Sequence, residues 1–175
     1  MDSPYVIRDA GPGDAPACAA LYAPYVLKTA TTFETEPPEP DEMRRRIAAA
    51  QERHAWLVAA HDGGVAGYAY AGTWRSRAAY SRTAETSIYL DESVRGTGLG
   101  KRLYTALVHR LAEQGYRTLV AGMTLPNPAS EALHGSLGFT PVGVFRRVGF
   151  KHGAWHDVGW MQLDLLPVSP PGSEG

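Results

Sequence analysis

The sequence predicts a single α/β domain built around one sheet. Three observations lead there. Strand-like and helix-like segments interleave from end to end, a glycine-rich turn joins a strand to an amphipathic helix past the middle, and neither composition nor pattern changes regime along the 175 residues. A chain of this length can bury a proper core. Hydrophobic residues make up 44% and charged residues 20%, the balance of an ordinary soluble globule. A net charge of -1 offers no basic surface to nucleic acid or to an anionic membrane. No apolar run approaches the roughly 20 residues that cross a bilayer. The N-terminus lacks the basic-then-apolar layout of a signal peptide, so the cytoplasm is the expected location. Cys18 is the only cysteine, which excludes an internal disulfide, and on an alanine-rich helix it reads as a small buried hydrophobe.

The elements follow in order. Tyr5-Val6-Ile7-Arg8 reads as a first strand, and a helix begins near Gly13-Asp14 with Asp14 as N-cap and Pro16 tolerated in the first turn. Ala17, Ala20, Leu21 and Tyr25 give that helix an inner face, and Pro24 is expected to kink or end it. Thr29 to Pro40 is too proline-rich for regular structure. A second helix is expected at about Asp41 to Gln51, with Arg44-Arg45-Arg46 as a solvated face. Trp56–Ala60 and Val65–Ala71 flank Asp62-Gly63-Gly64 as a hairpin, and Glu85–Leu90 forms the next strand. After the glycine-rich turn, Leu99, Leu103, Ala106, Leu107 and Leu111 form one helical stripe that stops at Gly115. Thr118–Ala121 reads as a buried strand, and Asn127-Pro128 opens a short helix ending near Leu137-Gly138. Val142 to Leu165 reads as two strands joined by the glycine- and aromatic-rich Gly149–His156 segment. The domain is expected over residues 1–166, with 167–175 a disordered Pro/Ser/Gly tail.

The turn Arg95-Gly96-Thr97-Gly98-Leu99-Gly100-Lys101 carries the chemistry. Glycines opening a helix expose backbone N–H groups, which together with the helix dipole cradle a pyrophosphate. A Walker loop needs a glycine where Arg95 stands and a hydroxyl where Arg102 stands, so that reading fails. A dinucleotide fingerprint needs Gly-x-Gly-x-x-Gly early in a strand–turn–helix unit, whereas here the glycines alternate and come late. What remains, Arg-x-x-Gly-x-Gly over Arg95 to Gly100, resembles the acyl-coenzyme A signature of the Gcn5-related N-acetyltransferase (GNAT) superfamily. A second signature follows in order: Asn127-x-x-Ser130-x-x-x-His134-x-x-x-Gly138-Phe139.

The stretches Tyr68–Tyr80, Thr83–Tyr89 and Gly149–Gly159, with the loop Phe33-x-Thr35-Glu36-Pro37, resemble the phosphinothricin N-acetyltransferases over roughly residues 5 to 167. The chain departs from that family's pattern at Arg75, where Lys is common, and at Glu34, where a basic residue occurs. The resemblance implies a twisted, mixed and mostly antiparallel sheet flanked by helices and split around the acetyl-CoA arm. It also implies metal-free acetyl transfer to a primary amine, and a homodimer. The α-amino group of phosphinothricin, or of methionine sulfoximine or sulfone, is the implied acceptor. The other readings are a different small amine, a protein substrate, or a coenzyme-binding module without activity.

An amine whose pKa lies about two units above ambient pH is roughly one per cent free base, a penalty of about 2.7 kcal/mol that a nearby base would remove. Glu85, at the start of the strand that leads to the coenzyme loop, is the residue the resemblance marks as general base, directly or through water. His134 holds the superfamily's general-acid position, with Tyr104 ranked below it. For the coenzyme, Ile88, Tyr89 and Leu90 are expected to offer backbone groups to the pantetheine arm, Arg95 to Lys101 to hold the pyrophosphate, and Asn127 to hold the far side of the arm. Arg75 and Arg77 suit an oxyanion, and the resemblance makes Phe33, Tyr80 and Val158 walls of the acceptor pocket. His152, His156 and Asp157 are close in sequence, but with no third cluster no metal site is expected.

Overall fold

The computed structural model describes residues 4–165. In chain order the elements are β1 (Val6–Asp9), α1 (Ala15–Lys28), α2 (Pro40–Gln51), β2 (Trp56–His61), β3 (Gly64–Thr73), β4 (Thr83–Leu90), α3 (Leu99–Glu113), β5 (Thr118–Thr124), α4 (Pro128–Ser136), β6 (Thr140–Lys151) and β7 (Ala154–Asp164). They form a 7-stranded sheet in the order β1-β2-β3-β4-β5-β7-β6. Only β4 and β5 run parallel; the other neighbours are antiparallel. The expected disordered tail and the end of the expected domain lie outside the described residues.

The sheet is open at its centre. β4 and β5 pair only from Thr83↔Thr118 to Glu85↔Val120, yet β4 runs on to Leu90 and β5 to Thr124. Beyond Glu85 and Val120 the two strands therefore part, and each keeps only its outer neighbour, β3 or β7. Alternate side chains of β4 serve opposite faces. Ala84, Ile88 and Leu90 pack with Leu103, Leu107, Leu111 and Leu119 in the core under α3. Tyr89 points to the other face, where α1 and α2 bury Tyr22, Val26, Met43 and Ile47 against Trp56, Val58 and Tyr68.

Several local outcomes differ from expectation. α1 passes through Pro24 and continues to Lys28. An interior proline costs about 3 kcal/mol, and burying Val26 on the turn beyond it returns roughly 1.5–3 kcal/mol; Val26 is fully enclosed. Asp14 is the N-cap of α1 as expected, but its side chain makes no capping bond to that helix, and a 3-10 turn over Pro12–Asp14 leads into it. Its carboxylate instead accepts from the Gly11 N–H at 2.7 Å and pairs with Arg8, which holds its pKa below the usual carboxylate range. Arg46 leaves the solvated face of α2 and makes two bonds to Glu34, at 3.0 and 2.7 Å. The Gly149–His156 segment joins the two strands as expected but is itself mostly strand: β6 and β7 stay paired through Gly149↔His156 to Lys151↔Ala154, and His152 and Gly153, both at positive φ, make the turn.

The proline-rich segment before α2 is fastened at several points. Thr29 Oγ1 donates to the Tyr25 carbonyl at 2.7 Å, the Tyr22 hydroxyl lies 2.6 Å from Thr32 and 2.5 Å from Glu34, and Lys151 Nζ donates to the Thr32 carbonyl at 2.8 Å. Glu34, the departure from the resembled pattern, is thus spent in part on holding this loop.

Candidate active site

The opening between β4 and β5 leads into a cavity of about 430 Å³ lined by Tyr25, Thr31, Ile88, Leu90, Arg95, Gly96, Gly98, Gly100, Lys101, Asn127, Ala129, Ser130 and Leu133. Gly96 and Gly98 sit at φ 76° and 85°, a conformation that L side chains rarely adopt, and a Cβ built on either would meet no atom within 4 Å. Gly98 is the N-cap of α3, and no side chain caps the helix. The turn therefore presents open space bounded by backbone and by the positive end of a helix, with Arg95 and Lys101 beside it. An apolar stretch of wall from Ile88, Leu90 and Leu133 leads from this cradle toward the fork. Those residues fit an acyl-coenzyme A: a basic, N–H-rich cradle for a pyrophosphate, then a slot for an extended arm.

Not every residue expected at the coenzyme lines this space. Tyr89 faces away, with its ring centroid 4.8 Å from that of Tyr22 and 5.1 Å from that of Tyr25. The Thr97 hydroxyl turns back to the Val94 carbonyl at 2.7 Å, and Leu99 is buried in the core. Asn127 lines the cavity and also caps α4, its Oδ1 accepting from the Ser130 N–H at 3.1 Å. Leu90 has its own backbone partner: the Tyr25 hydroxyl donates to the Leu90 carbonyl at 2.6 Å and accepts from the Leu90 N–H at 3.3 Å.

Glu85 stands at the fork itself, opposite Gly72 on β3 and Val120 on β5. It is half-buried, and desolvation raises its pKa above the ordinary carboxylate value. On the same face, Tyr70 pairs with Ser87 in the ladder and bonds its hydroxyl; the charges of Glu85, Glu34 and Arg46 all act on that phenol. His134 and Tyr104 lie on the opposite face. His134 is 4% exposed and Tyr104 fully buried. His134 Nδ1 lies 2.7 Å from the Ser130 carbonyl, which can only accept, so Nδ1 carries the proton and Nε2 accepts from the Tyr104 hydroxyl at 3.1 Å. Tyr104 in turn lies 2.5 Å from Thr86 Oγ1, on the residue after Glu85. Burial lowers the His134 pKa and raises that of Tyr104. The result is an uncharged hydrogen-bonded chain running from Ser130 to Thr86.

The expected acceptor residues are spread along the Glu85 face. Phe33 lies on β6, its ring against Gly149 so closely that a Cβ there would come within 2.2 Å, and 6.1 Å from the His156 ring. Arg75 stacks on Trp74 at 4.9 Å, and Tyr80 meets the same indole edge-on at 5.2 Å. Arg75 also lines a groove of about 370 Å³ with Val120, Phe145, Trp160 and Gln162, next to the fork. Arg77 is exposed at the start of a 3-10 turn, and Val158 sits between Thr124 and Phe145 in the sheet. Of those five, the groove gathers Arg75 alone. His156 Nε2 is taken up by the Lys151 carbonyl at 3.0 Å, and Asp157 accepts from the Arg147 N–H at 2.8 Å. The bonds of Tyr25, Thr86 and the Glu34–Arg46 pair had no local sequence signal, because each forms only across elements: Tyr25 to Leu90, Glu34 to Arg46 and Thr86 to Tyr104.

Comparison with known proteins follows the same lines. A family model described as an acetyltransferase (GNAT) domain matches residues 7–160. A phosphinothricin N-acetyltransferase of Streptomyces viridochromogenes is 41% identical over 168 residues, 96% of this chain and 92% of the relative. An L-methionine sulfoximine/L-methionine sulfone acetyltransferase of Pseudomonas paraeruginosa is 38% identical over 164 residues, 93% of this chain and 95% of the relative. A crystal structure of a GNAT phosphinothricin acetyltransferase from Sinorhizobium meliloti in complex with acetyl-CoA superimposes with a TM-score of 0.88 at 38% identity, covering 93% of this chain and 89% of the other.

Proposed function

The chain belongs to the GNAT acetyltransferase family and is an acetyl-CoA-dependent N-acetyltransferase, and from that premise we propose that it acetylates the α-amino group of phosphinothricin or of a close analogue such as methionine sulfoximine or sulfone, with Glu85 as general base. The observation that carries this reading is the position of Glu85. It stands where β4 and β5 part, at the end of the coenzyme cavity's strand, with its pKa raised by burial alone. Bound acetyl-CoA supplies the acetyl group as a thioester. Glu85 takes the proton from the acceptor amine, either directly or through a water, and so frees the lone pair that attacks. Arg75, in the groove beside the fork, supplies fixed positive charge for an acceptor oxyanion. In this reading His134 and Tyr104 pass a proton to the departing thiolate, and the hydrogen bonds that link Ser130, His134, Tyr104 and Thr86 support it.

The same reading includes a homodimer. Val142, Val144, Phe145, Val148, Phe150 and Trp155 are all more than half exposed on the β6–β7 hairpin at the sheet's edge. An apolar edge of this kind is a liability for a lone subunit. Sedimentation of a single monomeric species would remove the dimer from the reading.

The test of function is thiol release from acetyl-CoA with phosphinothricin, methionine sulfoximine, methionine sulfone, glutamate and a lysine-containing peptide. Turnover with phosphinothricin alone fixes the narrow reading, and preference for the sulfur compounds makes the enzyme a broader detoxifier. Silence across the panel with intact coenzyme binding would overturn the assignment in favour of another amine or of a binding module without activity.

A further inference from the structure

We propose that Tyr25, on the acceptor-side helix α1, is a positioning residue for the coenzyme: its hydroxyl closes the end of β4 and fixes Arg95 at the pyrophosphate cradle. This rests on the reading of the glycine-turn cavity as the coenzyme site, whose wall Tyr25 joins.

The argument begins with the ladder. Leu90 is opposite Gly67, and the next bond to β3 comes from the Asp91 N–H to the Ala66 carbonyl at 2.9 Å. In an antiparallel ladder, successive residues alternate in the side to which their N–H and C=O point. Leu90 therefore turns both groups away from β3, toward the side that β5 has already left. A half-buried backbone pair there is left without a ladder partner. Tyr25 supplies it with one oxygen, donating to the carbonyl at 2.6 Å and accepting from the N–H at 3.3 Å. Ile88, two residues earlier, points its backbone groups the same way, where the coenzyme arm would run. The hydroxyl thus marks the end of the strand edge left for the coenzyme.

The phenol oxygen holds a third group. Arg95 Nη2 donates to it at 3.0 Å, and the guanidinium carbon lies 5.5 Å from the centroid of the Tyr25 ring. Arg95 would otherwise be a long, exposed side chain next to the glycine turn, its nearest carboxylate partner Glu92 at 3.8 Å among the described residues, with the charge of Asp91 acting on it as well. Ordering such a side chain when a phosphate arrives costs rotamer entropy. Held in advance on Tyr25, it still has donors on its fork for the phosphate.

The experiment uses the full chain and compares wild type with Tyr25→Phe, Arg95→Gln and the double variant. Coenzyme A affinity is measured by calorimetry, and Michaelis constants are measured for acetyl-CoA and for S-acetylpantetheine, which lacks the pyrophosphate. Tyr25→Phe keeps the ring and removes the oxygen. We expect coenzyme A to bind roughly three- to tenfold more weakly, the acetyl-CoA KM to rise in step with kcat little changed, and the S-acetylpantetheine KM to stay at the wild-type value. The double variant should lose no more than Arg95→Gln does alone. An equal rise in both Michaelis constants would overturn the proposal and leave Tyr25 a support of the strand end only. An unchanged coenzyme A affinity in Tyr25→Phe beside a weakened Arg95→Gln would overturn it as well, while leaving the cradle intact. Unchanged affinity in Arg95→Gln would overturn both the proposal and the cradle's use of Arg95.

Discussion

Replacing Glu85 by Gln keeps the shape of the side chain and removes the base. The structure fixes what should follow. Glu85 faces Gly72, which has no side chain, and Val120, which has no polar one, and burial alone sets its pKa. With the base gone, only the amine's own free-base fraction reacts. For an amine about two units above the assay pH that fraction is roughly one per cent, so kcat/KM should fall about 100-fold. The deficit should shrink by about tenfold for each pH unit toward the amine pKa, since the variant's rate then tracks the free amine while the wild type is already levelled. Coenzyme A affinity should stay unchanged. Stability should move the opposite way from activity. A carboxyl whose folded pKa is raised is penalised when ionised in the fold, so the variant should melt higher than wild type at pH 8, and the difference should vanish at a pH below the unfolded carboxylate value. Stopped-time thiol release across pH, with calorimetry and thermal melts, measures all of this. Near-normal turnover, or a deficit of the same size at every pH, would refute the assignment of Glu85 as base.

Four further outcomes are expected. Gly98→Ala forces a Cβ into the left-handed region at a cost of about 1–2 kcal/mol and puts a methyl into the open cradle; it should lower the melting temperature and weaken coenzyme A in a titration. Lys151→Met removes the 2.8 Å bond from the buried Nζ to the Thr32 carbonyl, so the acceptor KM should rise while coenzyme affinity holds, and initial rates with varied acceptor read this directly. His134→Asn should change the acid limb of the pH–rate profile, because a relay that needs neutral imidazole fails as pH falls through a value below 6.5; an unaltered profile would remove His134 from catalysis. Phe145→Asp, on the exposed apolar edge, should convert a dimer into a monomer in sedimentation.

What the sequence could show was what repeats along it or lies within a few residues. The α3 stripe, the Asp62-Gly63 hairpin turn and the alternating glycines before Leu99 are local patterns, and all three form where expected. Pro24 misled because its cost is local while the burial of Val26 that offsets it is not. Arg46 misled for the same reason: a run of three arginines on a polar helix gives no hint that one of them turns toward Glu34, which lies in the proline-rich loop before the helix. The relay from Ser130 through His134 and Tyr104 to Thr86 was half legible, since each residue fell inside a recognisable element but the bonds cross three of them.

The placement of Glu85 and His134 on opposite faces of β4 bears on how the site divides its work. Side chains one residue apart on a strand point to opposite faces, so Glu85 belongs to the α1–α2 side and Thr86, with the relay behind it, to the α3–α4 side. The coenzyme cavity opens between them, at the edge where β4 loses β5. On the proposed assignment, the base on one face serves an amine arriving from the acceptor loop, and the proton source on the other serves the departing thiolate. Under that assignment, proton removal and proton delivery fall on different sides of one strand, and neither group needs to reach the other. This division predicts that substitutions at Glu85 and at His134 act at separate steps, so their effects on log kcat should be close to additive. A double variant no slower than Glu85→Gln alone would instead join the two residues in a single proton path through the strand edge.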